Sequence, residues 1–422
     1  MKKIYIIIFA SILPFLWLLT QNQVLGDITY TMGNVAGFIG ASLLLWQFIL
    51  GIRQITRKWN VDYSGLLRLH AFLGINGMFF ILIHPILEMF VYGQNVLFLF
   101  LPKLSNNLDI HITFGRLALL LILGIWITSS FFREKIIYRL WLKIHYVSYF
   151  AMFFVFIHAF DIGTFLVTFP FIRAYWFILL GLYVVLVSWR IVLFFQYGKA
   201  KYFLSQKESK ADGITIYIFT PKNIKLIPKV GQFFYIQTSF FSGAHPFTVM
   251  RFDETNGTLT FGIKAVGEYT KQLEGLSIGS AVYIDGPYGV FTSQAQNSDP
   301  KVIIAGGIGI TPFVELIKRF GGKDTYLFYS NSFFADAINR DEFVKELGNH
   351  YHDIISKEQV SNVPVIQGRI TLEVLKQYVP EDIQKSAGYY ICGSPPFMKG
   401  VKVLLKSMNV SESKIFTEEF NY

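Results

Sequence analysis

Four of the eight histidines lie inside apolar stretches of the chain, where a polar ring is costly and usually functional. His70 and His84 share one stretch, and His145 and His158 share another. Fourteen residues separate the first two and thirteen the second two, which on a helix correspond to roughly 21 and 20 Å. Two helices running in the same direction place His70 opposite His145 and His84 opposite His158. Because neutral imidazole suits iron, the spacing predicts two bis-histidine haem sites, one near each face of a membrane.

The helical phase of these histidines fits the prediction only in part. Fourteen residues at about 100° each return to within about 40° of the starting face, whereas thirteen miss that face by about 140°. Pro85 can bend the helix that carries His84, but the sequence has no comparable residue between His145 and His158. Either that helix is bent by another cause, or its two histidines reach their haems from different sides. The alternative for each ring is a structural hydrogen bond to a neighbouring helix.

Six apolar stretches must position these side chains. The chain has 422 residues, of which 53% are hydrophobic and only 16% are charged, against roughly 25% charged in an average soluble domain. A bilayer core needs about 20 apolar residues per helix. The predicted spans are 4–20, 32–52, 66–92, 112–132, 137–160 and 171–195. For the first, which follows Lys2 and Lys3, a signal peptide is the alternative, although no small-x-small cleavage site follows it.

The charge distribution predicts the orientation of the spans. Residues 1–197 carry 14 Lys+Arg and 6 Asp+Glu, and most of the basic residues lie at the amino terminus, between spans 2 and 3, between spans 4 and 5, and after span 6. By the positive-inside rule, both termini and everything after residue 197 are cytoplasmic in a multi-pass cell-membrane protein. No basic run predicts nucleic-acid binding. A single cysteine, Cys392, excludes an internal disulfide and a protein-held iron–sulfur cluster.

The second half of the chain changes to short β-type runs with glycine turns. The runs at 214–220, 232–238, 258–264 and 281–286 predict an antiparallel barrel or sheet. From Lys301 onward strands alternate with helices, which is typical of a nucleotide-binding α/β domain. The sequence therefore predicts three domains, 1–197, 198–295 and 296–422, with the linker near 294–300.

Four short motifs in this half carry residues suited to nucleotide cofactors. HPFT, from His245 to Thr248, can present amides and a hydroxyl to a flat heterocycle, and Gly267 and Thr270 stand at a predicted helix start, where free amides bind pyrophosphate. GGIGITPF begins at Gly306 directly after a strand, although the third glycine of the dinucleotide fingerprint is absent. Cys392 and Gly393 end another strand, at the edge where α/β sheets bind ligands; a buried small hydrophobic residue is the alternative for Cys392.

Taken in this order, the motifs resemble those of the transmembrane NADPH oxidase/ferric reductase family over nearly the whole chain. The resemblance implies a multidomain membrane protein, with a six-helix transmembrane haem-binding bundle, an antiparallel β-barrel FAD domain and a ferredoxin-NADP reductase-like α/β nucleotide-binding domain. It makes the four histidines ligands of two b-type haems. It implies that Thr248 lies near the flavin N5, Cys392 near the nicotinamide ring and Tyr422 over the flavin, as catalytic residues. The implied cofactor-binding residues are His245, Pro246, Phe247, Thr248, Lys264, Gly267, Thr270, Gly306, Gly307, Gly309, Thr311, Pro312, Cys392, Gly393 and Tyr422.

The function expected from the resemblance is transfer of electrons from cytoplasmic NAD(P)H through FAD and two haems to an acceptor on the outer face. Oxygen, giving superoxide, is the expected acceptor, with a ferric chelate as the alternative, and the sequence indicates no obligatory protein partner. The donor stays open between NADPH and NADH, because no Arg follows the strand ending at Ser330, and only Arg340 is close behind it. A nucleotide-regulated channel or transporter and a membrane-anchored flavin reductase are the competing functions, and the matched histidine pairs argue against both.

Overall fold

The computed structural model describes residues 2–21, 27–59, 63–197, 199–211, 213–239, 242–297 and 299–418. The chain forms two compact units, Met1–Phe194 and Phe195–Tyr422. The first is a bundle of helices and the second contains all twelve strands of the described residues. Each unit is considered by itself below.

Within the described residues, six segments of the first unit are long and apolar enough to cross a membrane: Lys2–Gln21, Ile28–Gly51, Gly65–Val91, Asn107–Ser130, Tyr138–Phe160 and Pro170–Phe194. They confirm the six predicted spans, with ends that differ by a few residues. The helices of the unit are α1 (Lys2–Leu16), α2 (Ile28–Gly51), α3 (Arg53–Thr56), α4 (Tyr63–Val91), α5 (Asn107–Ser130), α6 (Tyr138–Tyr146), α7 (Ser148–Ile162), α8 (Thr164–Thr168) and α9 (Pro170–Phe194).

Polar side chains fix where two of the spans begin. Asp27 precedes α2 and accepts hydrogen bonds from the amides of Thr29 and Tyr30, at 2.7 and 3.3 Å. Asn106 accepts one from the amide of Asp109 at the start of α5, at 2.9 Å. These caps satisfy backbone donors that the first turn of a helix leaves without a partner. The helices can therefore begin with their amide groups satisfied by the chain itself.

The fifth span is not one continuous helix, because α6 ends at Tyr146 and α7 starts at Ser148. Between them, the amide of Val147 donates to the carbonyl of Ile144 at 3.0 Å, a bond to the third preceding residue. Such a bond tightens the local turn from 3.6 to about 3.0 residues, which adds about 20° of rotation per residue. The interruption lies between His145 and His158 and removes part of their 140° offset. Nothing in the amino-acid types of this segment had indicated it.

The second unit begins with a closed antiparallel barrel in the strand order β1-β2-β5-β4-β3-β6, as the sequence predicted. The short helix α10 (Glu268–Glu274) follows β5. The sequence missed the long first strand and did not assign HPFT to a strand. The strands are β1 (Ala200–Ala211), β2 (Ile214–Pro221), β3 (Phe233–Gln237), β4 (His245–Phe252), β5 (Leu259–Lys264) and β6 (Ala281–Tyr288).

A six-stranded parallel sheet follows, in the order β10-β9-β8-β7-β11-β12. The strands are β7 (Lys301–Gly306), β8 (Thr325–Asn331), β9 (Tyr351–Ile355), β10 (Ile366–Gln367), β11 (Gly388–Cys392) and β12 (Ile415–Thr417). The helices are α11 (Thr311–Phe320), α12 (Arg340–Leu347), α13 (Leu372–Tyr378), α14 (Glu381–Ser386) and α15 (Pro395–Ser407). Strands β7 and β11 are buried on both faces and adjacent, so the loops after them meet at one edge of the sheet.

Candidate functional site

The four predicted histidines form two pairs in the structure. The rings of His70 on α4 and His145 on α6 have centroids 6.1 Å apart, with planes at 45°. The rings of His84 on α4 and His158 on α7 are also 6.1 Å apart, with planes at 70°. We call these the first and the second histidine pair. The structure therefore brings together the residues that the spacing had matched.

The hydrogen bonds of the second pair determine which ring nitrogen is available. His84 Nδ1 lies 3.0 Å from the carbonyl oxygen of Gly33, and His158 Nδ1 lies 2.8 Å from that of His111. A carbonyl can only accept, so Nδ1 of each neutral ring carries the proton and donates it. The lone pair is then on Nε2, which is the arrangement found in metal-binding histidines.

The first pair is held by different groups. His145 Nδ1 lies 3.4 Å from the hydroxyl of Ser129, which also accepts a hydrogen bond from the Trp141 indole at 3.2 Å. The Trp141 ring stacks on His145 with centroids 5.0 Å apart. The backbone of Gln47 on α2 lies beside His70. Ser129 on α5 and Trp141, one turn earlier on α6, orient the ring of His145.

The residues present fit a haem better than a bare metal ion. Among the described residues, no cluster of three or more His, Cys, Asp or Glu could hold a metal ion, whereas zinc in proteins usually takes three or four such ligands. A porphyrin supplies four nitrogens of its own and would need only two further ligands, which one histidine pair would provide. Two metal–nitrogen bonds of about 2.0 Å and two ring radii of about 1 Å account for a centroid separation of about 6 Å, as both pairs show.

Two polar residues beside the second pair were not predicted. Glu88 lies one turn after His84, accepts a hydrogen bond from Asn34 at 2.8 Å, and is 3.9 Å from His84 Nδ1. His111 on α5 lies beside α7, with its Nδ1 3.2 Å from the carbonyl of Ile157. A carboxylate within a span is a signal that the sequence does contain. Nothing in the sequence indicates that the His111 carbonyl accepts a hydrogen bond from His158.

The candidate flavin residues in the barrel lie around one tyrosine. His245, Pro246, Phe247 and buried Thr248 open strand β4. Tyr269 on α10 stacks on His245 with centroids 3.9 Å apart, and its hydroxyl donates to the carbonyl of Ile236 at 2.6 Å. Burial raises the pKa of the Tyr269 hydroxyl, which keeps it a donor at neutral pH. Sequence reasoning had not identified Tyr269, because an aromatic next to a glycine turn is usually core.

The start of α10, the helix after β5, is capped by a side chain of that helix. Lys264 is the last residue of β5, and Gly267 precedes α10. The Thr270 hydroxyl oxygen accepts from the amides of Val266 and Gly267, at 3.0 and 2.9 Å. The Gly267 amide therefore has a partner within the chain. The predicted pyrophosphate site, which concerns the free amides at this helix start, stays a prediction.

The predicted nicotinamide-dinucleotide residues meet at the carboxyl edge of the sheet. Gly306 ends β7, Gly307 has φ +54°, and Thr311 and Pro312 begin α11. A Cβ on Gly309 would lie 2.5 Å from the carbonyl oxygen of Cys392. That close approach requires glycine, and it joins the loop after β7 to the segment after β11.

Two further predicted residues have different outcomes. Cys392 is buried, and Gly393 follows it next to Gly309. Burial raises the pKa of the Cys392 thiol, so it stays neutral. Tyr422 lies outside the described residues, and its predicted position over the flavin stays a prediction.

An apolar six-span bundle with paired histidines, followed in the chain by a barrel and a parallel nucleotide-type sheet, defines a multi-pass membrane protein with a nucleotide-binding half. Comparison with protein families gives three consecutive matches. Residues 36–156 match the ferric reductase like transmembrane component, residues 204–306 an FAD-binding domain, and residues 303–403 an oxidoreductase NAD-binding domain. The chain belongs to the ferric reductase/NADPH oxidase-like family. Its second unit therefore contains an FAD-binding domain and an oxidoreductase NAD-binding domain.

Individual relatives resemble parts of the chain. A flavohemoprotein of Oceanobacillus iheyensis is 28% identical over 161 residues, covering 34% of this chain and 37% of the relative. The reductase component of propane 2-monooxygenase from Rhodococcus jostii is 29% identical over 182 residues, covering 39% and 48%. These matches span less than half of either relative. A flavohemoglobin structure from Malassezia yamatoensis has a TM-score of 0.48 at 22% identity, covering 76% of this chain and 89% of that one.

Proposed function

We propose that this protein carries electrons from cytoplasmic NAD(P)H through FAD and two b-type haems to oxygen on the outer face of the cell membrane. One NAD(P)H supplies two electrons, so two oxygen molecules become two superoxide ions and one proton is released. The single observation that carries the proposal is the pair of 6.1 Å histidine contacts on one set of helices. When bound, the haems supply one-electron carriers within the lipid.

In this proposal His70 and His145 hold the inner haem, and His84 and His158 the outer one. The proton on Nδ1 of His84 and of His158 is held by a carbonyl, so each ring presents its Nε2 lone pair to iron. With a histidine on each side, a haem held here would supply electrons one at a time and would leave no open position on its iron for oxygen. A ferric chelate could be reduced at the same place, which makes the acceptor the main alternative within the proposal.

The second unit supplies the binding sites for the donor and the flavin. We assign His245 to Thr248, with Lys264, Gly267 and Thr270, to FAD, and Gly306 to Pro312, with Cys392 and Gly393, to NAD(P)H. Thr248, Cys392 and Tyr422 would act where nicotinamide meets flavin. The three domains span residues 1–197, 198–295 and 296–422 in this proposal. The basic residues that connect the spans of the first unit support a cytoplasmic location for both termini and the dehydrogenase half.

The test of function uses purified protein supplied with FAD and haem. NADH or NADPH oxidation is followed together with cytochrome c reduction, with and without superoxide dismutase, and a ferric chelate is assayed in parallel. Dismutase-sensitive reduction supports oxygen as the acceptor, whereas dismutase-insensitive reduction of the chelate supports a ferric reductase. Inverted membrane vesicles should oxidise added NAD(P)H and intact spheroplasts should not.

The test of the haem assignment uses His84→Ala, with Phe79→Ala as a control. Phe79 is on the same helix between the two histidine pairs, but 59% of it is exposed on the bundle surface. His84→Ala should lose one of two low-spin haems in the reduced-minus-oxidised spectrum, and Phe79→Ala should keep both. Flavin-dependent reduction of ferricyanide should survive in both variants. An unchanged spectrum in His84→Ala contradicts the assignment.

A further inference from the structure

Each histidine of the second pair hydrogen-bonds to and packs against a neighbouring helix in the same way. His84 bonds the carbonyl of Gly33, and its ring lies against Gly37, four residues further along α2. His158 bonds the carbonyl of His111, and its ring lies against Gly115, four residues further along α5. In both cases the acceptor carbonyl is at position i and the glycine at position i+4.

Helix geometry explains why the two positions act together. A helix carbonyl at position i points toward the amide of position i+4, and the Cβ at i+4 leans back over it. A side chain at i+4 therefore normally covers that carbonyl. Without a Cβ, the second lone pair of the carbonyl oxygen is open to a donor from another helix. At Gly37 and Gly115 the missing Cβ leaves the imidazole ring room to approach the backbone.

The space at the two glycines is too small for a methyl group. A Cβ on Gly115 would lie 2.5 Å from Nδ1 and 2.6 Å from Cε1 of His158. A Cβ on Gly37 would lie 3.1 Å from Nδ1 and Cγ of His84. The first contact requires a displacement of nearly 1 Å to reach an ordinary separation, and the second only a few tenths of an ångström.

We propose that Gly37 and Gly115 are positioning residues for the second histidine pair, because each uncovers the carbonyl that fixes the tautomer and direction of a haem ligand. The inference rests on the proposed function, since it concerns the ligands of the outer haem. The close contact is confined to that pair. A Cβ on Gly51, four residues after Gln47, would meet nothing within 4 Å, and His145 is held by a hydroxyl instead.

The experiment compares Gly115→Ala and Gly37→Ala with Gly124→Ala. Gly124 is on the same helix as Gly115, and a Cβ there would meet nothing within 4 Å. Haem per polypeptide is measured by pyridine haemochrome, and each haem by its low-temperature spectrum and low-spin electron paramagnetic resonance signal. Gly124→Ala should match the wild type at two haems. Gly115→Ala should keep the first haem and lose the second, and Gly37→Ala should keep both with a shifted signal for the second.

Two haems with unshifted signals in Gly115→Ala would overturn the inference. Retention of the first haem reports whether the helix bundle of Gly115→Ala is folded; if it is not, Gly37→Ala decides, and an unshifted second-haem signal there overturns the inference as well. His158→Ala separates this outcome from failure of the proposed function. If His158→Ala keeps both haems, the ligand assignment itself is wrong, whatever the glycine variants show.

Discussion

Arg340 provides the sharpest test of how the nucleotide half of the protein is built. Its Nε donates to Asp353 Oδ2 at 2.8 Å, and the Tyr351 hydroxyl donates to the other carboxylate oxygen. The Asp353 side chain is 1% exposed. Because Arg340 is engaged with this buried carboxylate, we expect it to stabilise the sheet and not to select NADPH over NADH.

The perturbation is Arg340→Met, which keeps an unbranched apolar stem and removes the guanidinium and its charge. Breaking a buried ion pair from one side costs about 3–5 kcal/mol, and in a unit of this size about 1 kcal/mol lowers the melting temperature by roughly 2–4 °C. The loss of FAD fluorescence quenching on heating should therefore shift down by roughly 6–20 °C. Burial already raises the pKa of Asp353, so the stranded carboxyl can protonate and the loss should shrink as the pH falls.

Two variants control this prediction. Lys385→Met breaks an ion pair with Glu381 whose partners are 75% and 80% exposed, so the melting temperature should hardly change, since solvent and salt screen such exposed pairs. Arg340→Met combined with Asp353→Leu should recover most of the stability. The reasoning is refuted if Arg340→Met melts like the wild type while kcat/KM for NADPH alone falls by about tenfold, or 1.4 kcal/mol.

Three further outcomes follow from the second unit. Gly309→Ala forces its Cβ against the backbone of Cys392, at a cost of about 1–3 kcal/mol, so steady-state kinetics should show a KM for NAD(P)H raised about tenfold; Gly400→Ala, where a Cβ meets nothing within 4 Å, should leave KM unchanged. Tyr269→Leu removes the ring stacked on the flavin-site histidine and should lower FAD retained on gel filtration, whereas Tyr269→Phe should retain it. Burial lowers the pKa of His352 to about 4, so the unfolded chain gains a proton first as pH falls below 6.5; thermal stability should fall from pH 6.5 towards pH 4, and less steeply in His352→Phe.

The sequence predicted the architecture because both halves follow strong hydrophobic patterns. Six long apolar runs can only be spans or buried helices, and alternating strands and helices after Lys301 allow few sheet topologies. Strand β1 was missed because its residues AKYFLSQKESKA are half polar, with charges on the exposed positions. Its place is determined by pairing with β2, the next strand, and with β6, which is distant in the sequence. Local pattern alone cannot supply such a contact.

The break at Val147 shows a second limit of sequence reasoning. Valine is neither a helix breaker nor a turn residue, and no proline or glycine stands near it in the span. The tight turn is a backbone conformation that no residue type in the segment indicates. It lies where α6 and α7 each direct a histidine towards α4. A uniform 100° per residue therefore gave an offset of about 140° between His145 and His158. A continuous helix cannot remove this offset, whereas the tighter turn between α6 and α7 reduces it.

The orientation of the histidine rings was beyond the sequence for a related reason. The groups that orient His84 and His158 are the carbonyls of Gly33 and His111, and every residue has a carbonyl, so no residue type marks the acceptor. What differs at these positions is access, which depends on the residue one turn later. A glycine at that point reads in sequence as weak helix propensity inside a span. In three dimensions the same glycine leaves a backbone carbonyl open to the imidazole on a second helix, at the cost of some local helix stability.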